Sequence, residues 1–162
     1  MGVEIERKIL LASDAWRDAV VRRDTLRQGY LPGGRELSVR VRVAGERAWL
    51  NLKSGGLVPR RLEFDYAIPL EDAEALLDAL ARPPLIEKTR HYVPMQGFEW
   101  EIDEFHGQNA GLIVAEIELE SEDQPFPRPE WLGAEVTHLE RYYNVCLVRH
   151  PYADWDEAER RP

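Results

Sequence analysis

The sequence predicts an α+β fold: an antiparallel sheet of seven or eight strands with three helices packed on it. Residues of alternating character recur every second position through most of the chain, the mark of strands with two unlike faces. Only three stretches carry a helical stripe. The polar sides of the strands hold clustered acids and bases with almost no Thr, Gln or Ser, and all three lysines (Lys8, Lys53, Lys88) sit there, against 18 arginines in the chain.

In order along the chain, residues 3–9 set Val3, Ile5, Arg7 and Ile9 against Glu4, Glu6 and Lys8. Ser13 or Asp14 caps a helix expected to run to Arg23, with Trp16, Ala19 and Val20 facing inward. A short strand follows at 27–31. Residues 38–43 place Val39, Val41 and Val43 opposite Ser38, Arg40 and Arg42; residues 48–53 place Ala48, Leu50 and Leu52 opposite Trp49, Asn51 and Lys53. In 61–68, Leu62, Phe64, Tyr66 and Ile68 oppose Arg61, Glu63 and Asp65.

Between Pro69 and Pro84 a stripe of Leu70, Ala73, Leu76, Leu77 and Leu80 predicts the second helix, bounded by prolines. The stretch 86–93 alternates poorly: Lys88, Arg90 and Tyr92 share a side, but Glu87, Thr89 and His91 make a weak apolar face. Residues 98–104 and 113–120 alternate cleanly, the first with Glu99, Glu101 and Asp103, the second with Glu116, Glu118 and Glu120, on their polar sides. Thr137 is expected to cap a third helix through Val148. Loose stretches at 32–35, 54–59, 82–84 and 123–129 are too short to be linkers. The reading is one domain over 1–150 and a polar tail over 151–162, either frayed or lying across one mouth of the sheet.

Composition narrows the function. The chain has 162 residues, 44% hydrophobic and 31% charged, and a formal net charge of −9. A nonspecific nucleic-acid partner is disfavoured by that charge. No stretch reaches the roughly 18 apolar residues of a membrane helix, and the acidic start MGVEIERKIL is unlike a signal peptide; a cytoplasmic protein with no membrane or nucleic-acid partner is expected. One cysteine, Cys146, allows no internal disulfide, and four scattered histidines leave oxygen donors for any metal, which favours Mg²⁺ or Mn²⁺.

A sheet with one solvated face would produce the same alternation, so an ordinary sandwich remains open at this point. The strand count also suffices to close a barrel, which turns one face into a lumen. Such a lumen would enclose Glu4, Glu6, Glu63, Asp65, Glu101, Asp103, Glu116 and Glu118 with Lys8, Arg40, Arg42, Lys53, Arg61, Lys88 and Arg90. Enclosed ions of one sign cost several kcal/mol each unless paired. This near-balanced set, joined by two divalent cations, would host a polyanion.

The residues resemble the CYTH superfamily, or triphosphate tunnel metalloenzymes. Glu4-Ile5-Glu6-Arg7-Lys8 fits its ExExK signature, followed in family order by QGYL (28–31), VRVR (39–42), LNLKS (50–54), RLEFDYAIP (61–69), KTR (88–90), WEIDEF (100–105), AEIELE (115–120) and RYYN (141–144). The chain is most similar to the short, single-domain bacterial members, over about residues 3–148. The resemblance implies an eight-stranded antiparallel β-barrel, a tunnel with a charged lumen and helices outside.

It further implies a divalent-metal-dependent triphosphatase acting on inorganic tripolyphosphate or a nucleoside triphosphate, with Mg²⁺ or Mn²⁺, two per site. The implied catalytic group is Glu4, Glu6, Lys8, Glu116 and Glu118. Metal ligands would be Glu4, Glu6, Glu116 and Glu118, completed by Glu63 and Asp103. Phosphate would be held by Lys8, Arg40, Arg42, Lys53, Arg61, Lys88 and Arg90. A homodimer is in keeping with the family. Asp65 and Ala67 depart from the EFEYEIP form of the motif, and no lysine follows Lys88, unlike thiamine-triphosphatase members. A class IV-type adenylate cyclase and a noncatalytic polyphosphate-binding module are the alternatives. Trp16, Trp100, Trp131, Tyr142 and Tyr143 are read as packing residues, Trp49 as a possible edge of the ligand site, and Tyr30 as a possible donor to a luminal group.

Overall fold

The computed structural model describes residues 2–34, 36–56 and 58–162. Met1, Arg35 and Leu57 lie outside the described residues; the last two fall in the loose stretches at 32–35 and 54–59. Nine strands form among the described residues: β1 (Gly2–Leu11), β2 (Arg22–Tyr30), β3 (Leu37–Ala44), β4 (Arg47–Ser54), β5 (Arg60–Ile68), β6 (Ile86–Met95), β7 (Phe98–Phe105), β8 (Ile113–Glu118) and β9 (Leu132–Glu135). Two helices join them, α1 (Leu70–Leu80) and α2 (Asn144–Arg149).

The order β5-β4-β3-β2-β6-β7-β8-β1, with β5 pairing back onto β1, closes an antiparallel barrel of eight strands. Residues 2–5 of β1 pair with β5, and residues 6–10 pair with β8. Beyond the point where β5 diverges, the short β9 takes up the free edge of β1 at Ile9 and Leu11. Closure leaves little exposed strand edge, the usual liability of a sheet. Tight hairpins set the register. Gln96 and Gly97 between β6 and β7 both have positive φ, 51° and 83°, which matches the right-handed twist of the flanking strands.

Three apolar clusters surround the barrel. On the outer face of β1, β6, β7 and β8, Ile5, Ile9, Val93, Trp100, Ile102 and Ile117 pack under Trp16 and Trp131. Outside β3 and β4, Val41, Val43 and Ala48 pack against Ala73 and Leu77 of α1. The third cluster covers the β2, β6, β7 and β8 side of one end of the barrel: Tyr30, Ile86, Phe105 and Val114 meet Leu147 and Val148 of α2, together with Tyr142 and Trp155, while the cavity reaches that end along β3 and β4. The segment from 151 onward is therefore anchored, with Trp155 edge-on to Tyr142 and Tyr152 at ring separations of 5.1 Å.

Several expectations are corrected. The helix expected from 14 to 23 is one 3₁₀ turn, Ala15–Ala19. The Val21 N–H donates to Tyr92 O at 3.0 Å, drawing the β-branched Val20-Val21 pair into the start of β2. The strand expected at 27–31 consequently begins at Arg22. The helix expected from Thr137 to Val148 splits into a 3₁₀ turn at Glu140–Tyr142 and the six-residue α2. Thr137 does not cap it; its Oγ1 accepts the Lys8 N–H at 3.0 Å. β9 was not anticipated, since four residues are too few to display a period. The weak apolar face of 86–93 is covered locally: His91 is buried edge-on to Trp16, 5.0 Å between ring centroids, and bonds Glu104 through Nε2 at 3.1 Å.

Two measurements test this packing. A Cβ on Gly29 would stand 2.7 Å from Ala81 Cβ and 2.8 Å from Leu77 and Leu85 methyls, so Gly29→Ala forces α1 away from β2. Overpacking of this kind costs about 1–3 kcal/mol, readable as a lower urea midpoint. Burial holds the His91 imidazole below its ordinary 6.5; Glu104 opposes this, and Arg23 and Arg17 reinforce it. The unfolded chain therefore takes up a proton near pH 6.5 that the folded chain refuses, and stability drops as pH falls through that value. His91→Gln is expected to flatten the dependence of the unfolding midpoint between pH 7 and 5.

Candidate active site

Alternation on each strand sends one set of side chains into the barrel, and the register decides which ions meet. Lys8 stands opposite Glu116, Glu6 opposite Glu118, Arg90 opposite Asp103, and Lys53 opposite Glu63. The interior holds a cavity of about 1280 Å³, with walls that include Glu4, Glu6, Lys8, Arg40, Arg42, Lys53, Arg61, Glu63, Arg90, Glu116 and Glu118. Eleven of the thirteen sequence-predicted site residues thus share one wall.

The other two, Lys88 and Asp103, lie behind it, 1% and 0% exposed. Both Asp103 oxygens are engaged: Oδ1 accepts Arg90 Nε at 2.7 Å, and Oδ2 accepts Lys88 Nζ at 2.5 Å and an Arg90 terminal nitrogen at 2.8 Å. This carboxylate is a brace for Arg90. Burial pushes the Lys88 ammonium down to about 8, with Asp103 only partly offsetting it and Arg90 adding to the fall.

On the wall the ions are shared among several partners. Lys8 Nζ donates to Glu116 at 2.6 Å and lies 2.8 Å from Glu6. Burial alone would lower its pKa, but the charges of Glu116 and Glu6 outweigh it and hold Lys8 well above the ordinary lysine value. Burial would raise Glu116; Lys8, Arg90 and Lys88 together keep it well below the usual carboxylate range. Lys53 Nζ bonds both oxygens of Glu4 at 2.8 Å, and Arg61 reaches the same carboxylate at 3.3 Å. Arg90 also binds Glu101 and lies 3.2 Å from Glu116.

Two groups lack a direct ion-pair partner among the described residues. Arg40 and Arg42 make no ion pair among the described residues, and the buried Nε of Arg40 has no hydrogen-bond partner. Burial would lower Arg40, but Tyr30, Glu4 and Glu63 outweigh it and hold the group above its ordinary value; Arg42 is lowered by burial and further by the neighbouring charges of Arg40 and Arg90. Opposed to them, Glu118, exposed at the end of β8, is raised by partial desolvation and by crowding with Glu4, Glu63, Glu101 and Glu6. A concentrated positive group and a concentrated negative group therefore face one cavity. The first fits phosphoryl oxygens and the second fits a cation.

Four contributors escaped the sequence reading. Asn51 donates to Glu63 at 2.7 Å and to Asp65 at 3.3 Å, bridging two acids that would otherwise repel. Tyr143, read as packing, lies on the cavity wall, with Lys8 Nζ 5.0 Å and the Arg61 guanidinium 5.4 Å from its ring centre. Asn144 Oδ1 accepts from Lys88 at 3.4 Å. Gln28 is fully buried on the luminal side of β2. The polar ends of QGYL and RYYN were the available signals. Trp49 is not on the wall; Arg42 and Arg47 lie over its ring, 5.2 and 5.4 Å from the centre.

The chain is similar to known proteins over most of its length. An inorganic triphosphatase of Acetivibrio thermocellus is 42% identical over 157 residues, covering 97% of this chain and 100% of the relative. An inorganic triphosphatase of Nitrosomonas europaea is 36% identical over 149 residues, covering 90% and 96%. Among solved structures, the inorganic triphosphatase NE1496 superposes with a TM-score of 0.66 at 35% identity, over 91% of this chain and 95% of that one. The CYTH domain is matched across residues 2–148. A closed eight-stranded barrel, an ion-lined lumen and this match agree: the chain belongs to the CYTH domain family.

Proposed function

We propose that the chain is a divalent-cation-dependent triphosphatase that removes the terminal phosphate of inorganic tripolyphosphate inside the barrel. The observation that carries this reading is the placement of unpaired Arg42, with the partnerless Nε of Arg40 beside it, on the same cavity as the crowded carboxylate of Glu118. The two similar proteins named inorganic triphosphatases support it. A bare, multiply charged anion suits the wall better than a nucleotide does. Its aromatic residues are Tyr30, Phe98 and Tyr143, and Tyr143 already donates its hydroxyl to Thr137 O at 3.0 Å, which leaves no flat apolar slot for a base.

The donor set fits a hard, oxygen-seeking ion such as Mg²⁺ or Mn²⁺. Among the described residues no three acidic side chains form a ready-made cage. Glu4, Glu6, Glu116 and Glu118 would hold the ion as the lysines and arginines now bound to the first three turn to phosphate, and Glu63 is the further candidate if two ions are taken up. When bound, such an ion neutralises phosphoryl charge and acidifies a coordinated water.

The protein's own residues supply position and charge, which is most of what phosphoryl transfer asks of an enzyme. Arg40, Arg42 and Arg90 present planar forks that fix the register of the phosphate chain, while Lys8 and Lys53 act as compact charges deeper in the wall. Asp103 keeps the Arg90 fork from rotating. Burial of Lys8, Lys53, Arg90 and Glu116 removes these ions from bulk water, so each interaction is stronger than it would be in solution. Orthophosphate release from tripolyphosphate should require a divalent cation and stop with chelator. Glu118→Gln should lower that turnover by about 100-fold or more, since even outer-sphere partners of metals cost 10–100-fold. Arg42→Ala should raise KM about 10–100-fold, as expected for a lost charged hydrogen bond of about 1.5–3 kcal/mol. Unchanged rates in both variants would reject the reading.

A further inference from the structure

The antiparallel order sorts the lumen wall into two ends. One lies where β1, β2, β4 and β7 finish and β3, β5, β6 and β8 begin; α2 packs there. The other lies where β7 begins and β8 finishes. At this second end the wall carries Glu99, Glu101, Glu118 and Glu120. Arg90 neutralises Glu101, but Glu99, Glu118 and Glu120 have no ion-pair partner among the described residues. A polyanion approaching from this side meets uncompensated negative charge.

The α2 end is built differently. Its wall carries Arg82 and Arg149, both exposed and neither in an ion pair among the described residues, with Glu140 the acid beside them. Pairs of glycines, Gly33-Gly34 and Gly55-Gly56, line the same rim, so no bulky side chain from them intrudes. Arg82 is fixed in place: its N–H donates to the carbonyl of Tyr30, the last residue of β2, at 3.0 Å. Tyr30 itself reaches the wall beside Arg40, its register partner. Arg149 ends α2, whose first residue, Asn144, touches Lys88. Each rim arginine thus stands on the same segment as a contact to an inner base.

We propose that tripolyphosphate reaches the lumen through the α2 end, where Arg82 and Arg149 form a docking site for small polyphosphate anions, and that the acidic end turns such anions away. This rests on the triphosphatase reading above. Clefts lined by one sign of charge raise the association rates of oppositely charged ligands 10–10³-fold, an effect that salt removes. Surface arginines at a mouth are suited to this role, since they attract without holding the anion as tightly as the interior does.

The test is phosphate release from tripolyphosphate with Mg²⁺ in low salt and in about 0.5 M salt, where the Debye length has shrunk to a few ångströms. The double variant Arg82→Glu/Arg149→Glu should lose about tenfold in kcat/KM at low salt, through a higher KM, and recover most of it at high salt. Both positions are exposed, and unchanged thermal unfolding would confirm an intact fold. The companion variant Glu99→Lys/Glu120→Lys separates the ends: a larger change in kcat/KM there than in the arginine variant places the anion route at the acidic end and overturns the proposal. An arginine variant indistinguishable from the wild type at low salt overturns it too, while leaving the triphosphatase reading intact. Calorimetric titration of the unaltered protein with tripolyphosphate isolates the other failure: no binding and no phosphate release would end the parent reading, and the portal with it.

Discussion

The structure depends on one constraint: ions placed inside a closed barrel must find partners, and strand register is what brings partners together. Lys8 lies between Glu6 and Glu116, Lys53 against Glu4, and Arg90 against Asp103, Glu101 and Glu116. A slip of one residue in any strand would turn its charges outward and its apolar side chains inward. The interior therefore imposes specificity on the fold, even though each buried pair contributes little net stability after desolvation. Stability comes instead from the apolar clusters outside, where Trp16, Trp100 and Ile102 are fully buried.

The same constraint explains why the lumen is unequal along its walls. Where acids and bases balance, as at Lys8 and Glu116, both remain ionised in spite of burial. Where they do not, the ionised state is strained: Arg42 is lowered and Glu118 raised, each by desolvation first and by like charges second. Paired ions support the geometry, and unpaired ions retain an electrostatic demand for a ligand. The functional reading follows from this division of labour more than from the number of charges present.

The strands and their luminal faces could be read from sequence because alternation is a local property, and a closed barrel honours it at every position. Glu4, Glu6 and Lys8 share a face for the same reason that Val3, Ile5 and Ile9 share the other. Depth was not readable. Lys88 and Asp103 obey the same alternation as Arg90 and Glu101, yet they are sealed behind the wall because Asn144 and Phe105 crowd that level. The short elements were also missed: a 3₁₀ turn at Ala15–Ala19 and a six-residue helix are set by tertiary contacts, which no local period records.

Those contacts give the C-terminal segment a part in the site. Thr137 accepts the Lys8 N–H, Tyr143 lies against Lys8 and Arg61, and Asn144 bonds Lys88. Three inner bases, from β1, β5 and β6, are thus positioned by eight consecutive residues that belong to no barrel strand. The barrel closes by pairing β1 with β5 and β8, and the segment after β9 packs back over the α2 end against its luminal ions. Trp155 and its neighbours pin that segment from outside. The late residues therefore act on the chemistry through positioning, and the binding wall is shared between the first strand of the chain and its last helix.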